Sequence, residues 1–268
     1  MCVRRIQAIA LRQYYLIRSS LSRFLPLFIW VAVDIVLWGF LTRYLNTVAS
    51  ATFNFVPAML GAILFWDFFI RIMHGVTMAF FEDVWARNFL NIFSTPLSVI
   101  EYIIGLILCS VATSSVGIVV MFILAVTVFG LSFVSYGVLI VPFLIVLFMF
   151  GIALGIAASA LVLRLGPAAE WFIWPIPAII SPFVGVLYPV TILPSWMQGV
   201  SRVLPPSYVF ECLRNIVFGR EVSWISLLLS IGLAVVYIFL ACVFFVATYR
   251  HAVRTGLIAR YSAESLSC

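Results

Sequence analysis

Asp67, Arg71 and His74 are the ionisable residues whose spacing first suggests chemistry, because they recur at i, i+4 and i+7 within an apolar stretch. On a helix this spacing places all three on one face, where Asp67 and Arg71 can neutralise each other and His74 lies one turn further. The pattern allows two interpretations, a proton relay or a paired polar stripe near the inner end of a membrane span. We favour the stripe, since a single ion pair does not make a relay.

Asp34 is a second ionisable residue in an apolar environment, near the centre of the run from 24 to 42. A charged carboxylate at membrane depth costs at least about 2.5 kcal/mol, so Asp34 must be protonated, paired or in contact with water. A functional interpretation places it on a translocation path or at a dimer interface. The simpler alternative, which we favour, is a hydrogen bond that fixes helix packing.

Other catalytic and metal-binding patterns are missing from the sequence. The chain has no lysine, which excludes a P-loop, because that motif needs a lysine on the nucleotide phosphates. Its five cysteines are scattered without a Cys-x-x-Cys and it has two histidines, so neither a metal cluster nor a Cys-His nucleophile is predicted. We therefore expect no catalytic residue, no metal and no bound cofactor on this chain.

The elements that position these residues are predicted to be membrane helices. Hydrophobic residues make up 65% of the chain and charged residues only 9%, too few to cover a globular surface in water. We predict one all-α membrane domain over 1–268 with six transmembrane helices. Apolar runs of spanning length occur at 24–42, 55–80, 102–129, 137–163, 171–192 and 224–248.

The segment 1–23 before the first run is amphipathic. Its apolar residues recur at helical spacing, while Arg5 and Arg12 fall elsewhere on the helical wheel. We predict an interfacial helix on the cytoplasmic leaflet, with a disordered basic tail as the alternative. The recurring apolar residues are Ile6, Ala10, Tyr14, Ile17 and Leu21.

The arginines predict the orientation of the chain. With the amino terminus inside, the cytoplasmic segments hold ten of the 15 arginines and the outer segments hold four. An even number of spans returns the chain to its starting side. Both lines of reasoning place both termini in the cytoplasm.

The inner connection, at about 82–101, begins with Glu82, Asp83 and Arg87. It is predicted to form a short amphipathic helix that ends near Pro96, after which Ser98 and Glu101 are spaced as a capping box for the next span. Such a surface helix is a natural docking point for another protein. A simple turn with a solvated charged face explains the same residues equally well.

The outer connection, at about 193–222, and the end of the preceding run are rich in proline. These prolines forbid one continuous helix, yet the segment is too apolar for an ordinary loop, so a broken, re-entrant hairpin is predicted between spans five and six. Glu211 and Arg214 can pair at i, i+3 on one helix face. The prolines are Pro182, Pro189, Pro194, Pro205 and Pro206.

These two connections resemble those of the ABC type-2 transporter permeases, the membrane subunits of ATP-binding cassette exporters. The resemblance lies in the inner loop with its acidic start and Pro-Leu-Ser turn, the Tyr-Pro-Val-x-x-Leu-Pro-x-Trp stretch at 188–196, and the Leu-Pro-Pro-x-Tyr-x-x-Glu-x-x-Arg segment at 204–214. It extends over essentially the whole chain, from the basic amphipathic start through six spans with short loops.

The resemblance implies an exporter in the plasma membrane, as in the inner membrane of a bacterium. A dimer of permeases, with homodimer and heterodimer both open, would be served by two ATPase subunits on separate chains that bind ATP and magnesium. Glu82 to Pro96 would form the coupling helix that docks on the ATPase, and 1–23 the connecting helix. Membrane lipids, not nucleic acid, would surround it. The outer gate hairpin would be shaped by Pro182, Pro189, Pro194, Trp196, Glu211 and Arg214.

Two other classes of function stay open at this point. An ion-coupled carrier would use Asp34 or Asp67 as its proton site. An intramembrane enzyme acting on lipids would use Asp34 or the face formed by Asp67, Arg71 and His74. The transported substrate is not encoded in any motif that we recognise.

Overall fold

The computed structural model describes residues 3–18, 25–48, 59–86, 89–131 and 137–257, and within these ranges the chain is helical with no β-strand. The predicted all-α class is therefore confirmed. The α-helices are α1 (Val3–Arg18), α2 (Pro26–Val48), α3 (Gly61–Trp85), α4 (Phe89–Phe93), α5 (Val99–Phe129), α6 (Ile140–Leu165), α7 (Glu170–Ile173), α8 (Ile176–Val184), α9 (Ser195–Ser201), α10 (Pro205–Val217) and α11 (Trp224–Arg254).

Four helical segments in the described part of the chain are long and apolar enough to cross a membrane. They are Gly61–Trp85, Val99–Phe129, Gly137–Leu165 and Trp224–Arg254. Their length and composition support a multi-pass membrane protein, while the count of six spans stays a prediction.

The predicted run from 171 to 192 is not one helix. Pro175 separates α7 from α8, and the chain turns at Gly185, where φ is +68°, a left-handed conformation that glycine adopts without strain. The apolar helical stretch Glu170–Val184 is thus shorter than the predicted span. Beyond the turn lie a 3₁₀ turn at Val190–Ile192 and the short helices α9 and α10.

Helix α6 is the central element, because it packs against both α3 and α11. Its Gly-x-x-x-Gly faces α3: a Cβ on Gly155 would lie 2.7 Å from the Val76 Cβ and 2.8 Å from the Met73 carbonyl oxygen. Gly151 approaches the Phe69 carbonyl oxygen in the same way, at 3.1 Å. The two glycines, which have no side chain, therefore allow the backbones of α3 and α6 to approach closely, as small residues do between membrane helices.

Helix α1 packs along α5 rather than standing away from the protein. Ile9 lies directly against Gly105, where a Cβ would be 2.8 Å from the Ile9 methyl carbon. The buried face comprises Ile6, Ile9 and Gln13, whereas Tyr14 is 55% exposed. The predicted amphipathic helix is present, and its interfacial location stays a prediction. Of the predicted apolar stripe, Ile6 packs against the protein, whereas Tyr14 lies on the exposed side of the helix.

Because α3 and α6 approach each other closely at Gly155, a methyl group added at that position should destabilise the protein. Gly155→Ala should lower the free energy of unfolding by about 1–3 kcal/mol, because the new Cβ meets backbone and a branched side chain that cannot move aside. The matched control is Gly232→Ala in α11, where nothing lies within 4 Å of an added Cβ. Thermal unfolding of both variants in detergent measures the difference. Equal melting temperatures would show that the interface accommodates the methyl group.

Candidate functional site

A cavity of about 590 Å³ lies among α1, α2, α3 and α5, beside Trp174 between α7 and α8. Its surface is mainly apolar with a few ionisable groups, the usual make-up of a ligand site. The four ionisable residues singled out in the apolar runs all line it. The lining residues are Gln13, Trp30, Asp34, Asp67, Ile70, Arg71, His74, Gly75, Met78, Ala79, Glu82, Trp85, Cys109, Thr113, Ser114, Gly117 and Trp174.

Arg71 joins carboxylates from two helices in this cavity. Its Nε donates to Asp67 Oδ2 at 2.6 Å, one turn away on α3, and its Nη2 lies 4.0 Å from Asp34 Oδ2 on α2. The pairing of Asp67 with Arg71 is confirmed. The contact with Asp34 comes from the tertiary packing of α2 beside α3, which the sequence does not reveal.

His74 lies on the same face but does not extend this pair into a relay. Its ring contacts the Trp174 ring edge-on, with 4.7 Å between centroids, and its Nε2 is buried without a hydrogen-bond partner among the described residues. No hydrogen bond that the structure describes connects His74 to Arg71. The favoured polar-stripe interpretation therefore agrees with the geometry.

The stripe is midway along its helix, not near the inner end as predicted. Helix α3 runs from Gly61 to Trp85, so Arg71 has 14 residues on its carboxyl-terminal side. The helix continues through Glu82 and Asp83 to Trp85, five residues beyond the predicted end of the span. The cavity follows this helix from Asp67 to its last turn, a distance of roughly 22 Å.

Glu82 and Asp83 consequently belong to the last turn of α3 and point to different places. Glu82 lines the cavity at the carboxyl-terminal end of α3. Asp83 is only 1% exposed and accepts hydrogen bonds from Arg12 of α1 and from the Tyr102 hydroxyl of α5, the latter at 2.7 Å. The carboxylate of Asp83 is thus enclosed by its own chain, and its predicted role in coupling to an ATPase stays a prediction.

Two further sets of contacts hold α1 against α3 and against the start of α5. The Gln13 amide donates to the Ala79 carbonyl oxygen at 3.1 Å. Arg5 donates to the Pro96 carbonyl oxygen and lies 3.5 Å from the Glu101 carboxylate, which is buried. The sequence pattern places Arg5 away from the apolar stripe of the helix and predicts no contact for Gln13. The signal that could have placed Gln13 is its spacing of four residues after Ile9, on the face that α5 covers.

The inner connection itself contains the predicted short helix, α4, and the predicted capping box. The Ser98 Oγ accepts from the Glu101 backbone N–H at 3.2 Å, and the Glu101 carboxylate accepts from the Ser98 N–H at 3.0 Å, so both halves of the box are confirmed. Pro96 is exposed between α4 and α5. Arg87 lies outside the described residues.

At the outer hairpin, Glu211 and Arg214 of α10 hold the turn that follows α8. The pair itself is confirmed at 3.1 Å. Glu211 also accepts from the Val190 N–H at 2.8 Å, and Arg214 donates to the Gly185 carbonyl oxygen at 3.0 Å. These bonds satisfy backbone groups that an irregular turn would otherwise leave unpaired.

The hairpin prolines mark boundaries of the short elements. Pro182 lies inside α8, and its carbonyl oxygen accepts from the Tyr188 hydroxyl at 2.9 Å. Pro189 precedes the 3₁₀ turn, and Pro194 caps α9. Trp196 is 65% exposed and meets the Phe183 ring edge-on. The structure thus describes a folded connection, and its role as a gate stays a prediction.

Removing a single hydroxyl tests the buried Asp83 cluster. Tyr102→Phe should lower the free energy of unfolding by about 1.5–3 kcal/mol, the usual value of a hydrogen bond to a charged group. Tyr44→Phe, at a side chain that is 62% exposed, is the matched control. Thermal unfolding in detergent distinguishes them. A Tyr102→Phe variant as stable as the control would mean that Arg12 alone satisfies the carboxylate.

Comparisons with known proteins place this architecture in a family. A search of curated proteins found no match. The family model described as ABC-2 family transporter protein matches residues 17–243, which is most of the chain and includes the inner connection, the outer hairpin and every cavity-lining residue except Gln13. The chain therefore belongs to the ABC-2 family of transporter proteins, membrane components of transport systems.

Proposed function

We propose that this chain is the permease subunit of an ATP-driven exporter, acting as a dimer with two separate ATPase subunits that bind ATP and magnesium. The observation that carries the proposal is the family match over residues 17–243. Permeases of this family generally associate with ATP-binding subunits. We place the complex in the bacterial inner membrane with both termini of the chain in the cytoplasm.

In this proposal the cavity is part of the translocation path. It combines a largely apolar surface with the ion pair of Asp67 and Arg71, and the Asp34 side chain is 45% exposed, so a ligand can reach the charged groups. The cavity also contacts α1 and the last turn of α3, the elements nearest to the inner connection. Changes at the inner connection thus have a short route to the cavity.

We infer that the ATPase contacts α4 and the turn after it. Asn91, Ser94, Thr95 and Pro96 are exposed there, whereas Asp83 is enclosed. The Ser94 and Thr95 hydroxyls donate to backbone carbonyls of α4 and hold the turn compact. Arg5 attaches α1 to the same turn through the Pro96 carbonyl oxygen. A push on this turn would therefore reach α1 and the start of α5 together.

Substituting an exposed serine on this turn tests the docking site. Ser94→Arg should weaken copurification of the ATPase about tenfold, a loss of roughly 1.4 kcal/mol, because a long charged side chain would separate the two surfaces. Ser195→Arg is the matched control, since Ser195 is also exposed but belongs to the outer hairpin. Ser94→Ala removes the same hydroxyl hydrogen bond without adding bulk and should copurify normally, and the permease yield should be unchanged in all three variants. Normal copurification and ATP-dependent transport by Ser94→Arg would exclude this turn as the docking site.

An ion-coupled carrier is the second candidate, favoured by the carboxylates of Asp34 and Asp67 in the cavity. Transport into inverted vesicles that contain the permease and its ATPase distinguishes the two candidate functions. We expect transport to continue when a protonophore collapses the ion gradient and to stop when ATP is replaced by a non-hydrolysable analogue. The reverse result would establish ion coupling.

A further inference from the structure

The charge on the cavity surface is unbalanced. Two carboxylates of the described lining, Asp34 and Asp67, face one guanidinium, that of Arg71. The guanidinium is engaged by Asp67 at 2.6 Å and lies 4.0 Å from Asp34, so it is shared between two carboxylates. Arg12 of α1 is paired with Asp83, which does not line the cavity. The two carboxylates beside Arg71 therefore carry one negative charge more than Arg71 compensates when both are ionised.

Indole rings supply the second feature of this cavity. Trp30, Trp85 and Trp174 all line it, and each is at least 41% exposed. The negative face of an indole attracts cations, and the ring also offers a large flat apolar surface. Trp30 precedes Asp34 by one turn on α2, which places a ring next to the carboxylate that is least compensated.

We propose that this cavity binds amphipathic organic cations, molecules with a positive centre surrounded by aromatic or aliphatic groups. The volume of about 590 Å³ is within the range of pockets for drug-sized molecules. An anion of the same shape would face the carboxylates and is excluded by repulsion. The proposal deepens the proposed function, because it names the chemical class that the permease would carry, but the binding step needs neither ATP nor a partner.

The test uses the purified full chain in lipid nanodiscs and two probes of similar shape and opposite charge, tetraphenylphosphonium and tetraphenylborate. Saturable binding above that of empty nanodiscs is measured for each ion. The variants are Asp34→Asn, which removes a charge from a half-exposed position, and Asp34→Glu, which keeps it. Glu221→Gln removes an exposed carboxylate outside the cavity and serves as the control.

We expect saturable binding of tetraphenylphosphonium and none of tetraphenylborate. Asp34→Asn should weaken cation binding about tenfold, whereas Asp34→Glu and Glu221→Gln should bind as the unmodified chain does. Equal binding of the two ions, no saturable binding of the cation, or unchanged binding by Asp34→Asn would each overturn the proposal. Because the binding assay contains no ATPase, these failures are distinct from a failure of the Ser94→Arg copurification, which needs no ligand.

Discussion

The guanidinium of Arg71 is the group on which the membrane-embedded part of this structure depends. A charge at membrane depth must be compensated inside the protein, and Arg71 does this for Asp67 on its own helix and for Asp34 on α2. The pair with Asp67 lies within α3, whereas the contact with Asp34 depends on how α3 is positioned beside α2. The close approach of Gly155 to the Met73 carbonyl holds α3 against α6 and contributes to that position.

The last turn of α3 contains a second carboxylate whose charge is compensated by partners on other helices. Asp83 is buried, and Arg12 and Tyr102 supply its hydrogen bonds from α1 and α5. A buried carboxylate that loses such partners is strongly destabilising, so α1 is bound to the spans by an electrostatic requirement as well as by apolar packing. Helix α3 thus carries one polar cluster that lines the cavity and one that fastens the amino-terminal helix.

The sequence predicts whatever depends on composition and local spacing. The all-α class follows from the apolar composition. Residues three or four positions apart predict the pair of Asp67 and Arg71, the pair of Glu211 and Arg214, and the Ser98 capping box. The features that the sequence does not predict depend on tertiary packing. The position of Asp34 beside Arg71, the burial of Asp83 and the place of Gln13 all require knowing which helices are neighbours. The broken run after residue 170 was missed because its apolar composition outweighed Pro175 and Gly185 in the search for spans.

The helices around the cavity differ in how firmly they are held, and this difference bears on transport. Helix α3 has backbone-level contacts with α6, and the Ser110 hydroxyl of α5 donates to the Ile72 carbonyl of α3 at 2.9 Å. Helix α2 instead packs mainly against α5, where Gly39 lies against the ring of Phe129, the last residue of α5. Beside the cavity it meets α3 through the 4.0 Å contact of Asp34 with Arg71. A cation bound near Asp34 would compete with Arg71 for that carboxylate, and α2 is therefore the side of the cavity whose position is most sensitive to a bound charge.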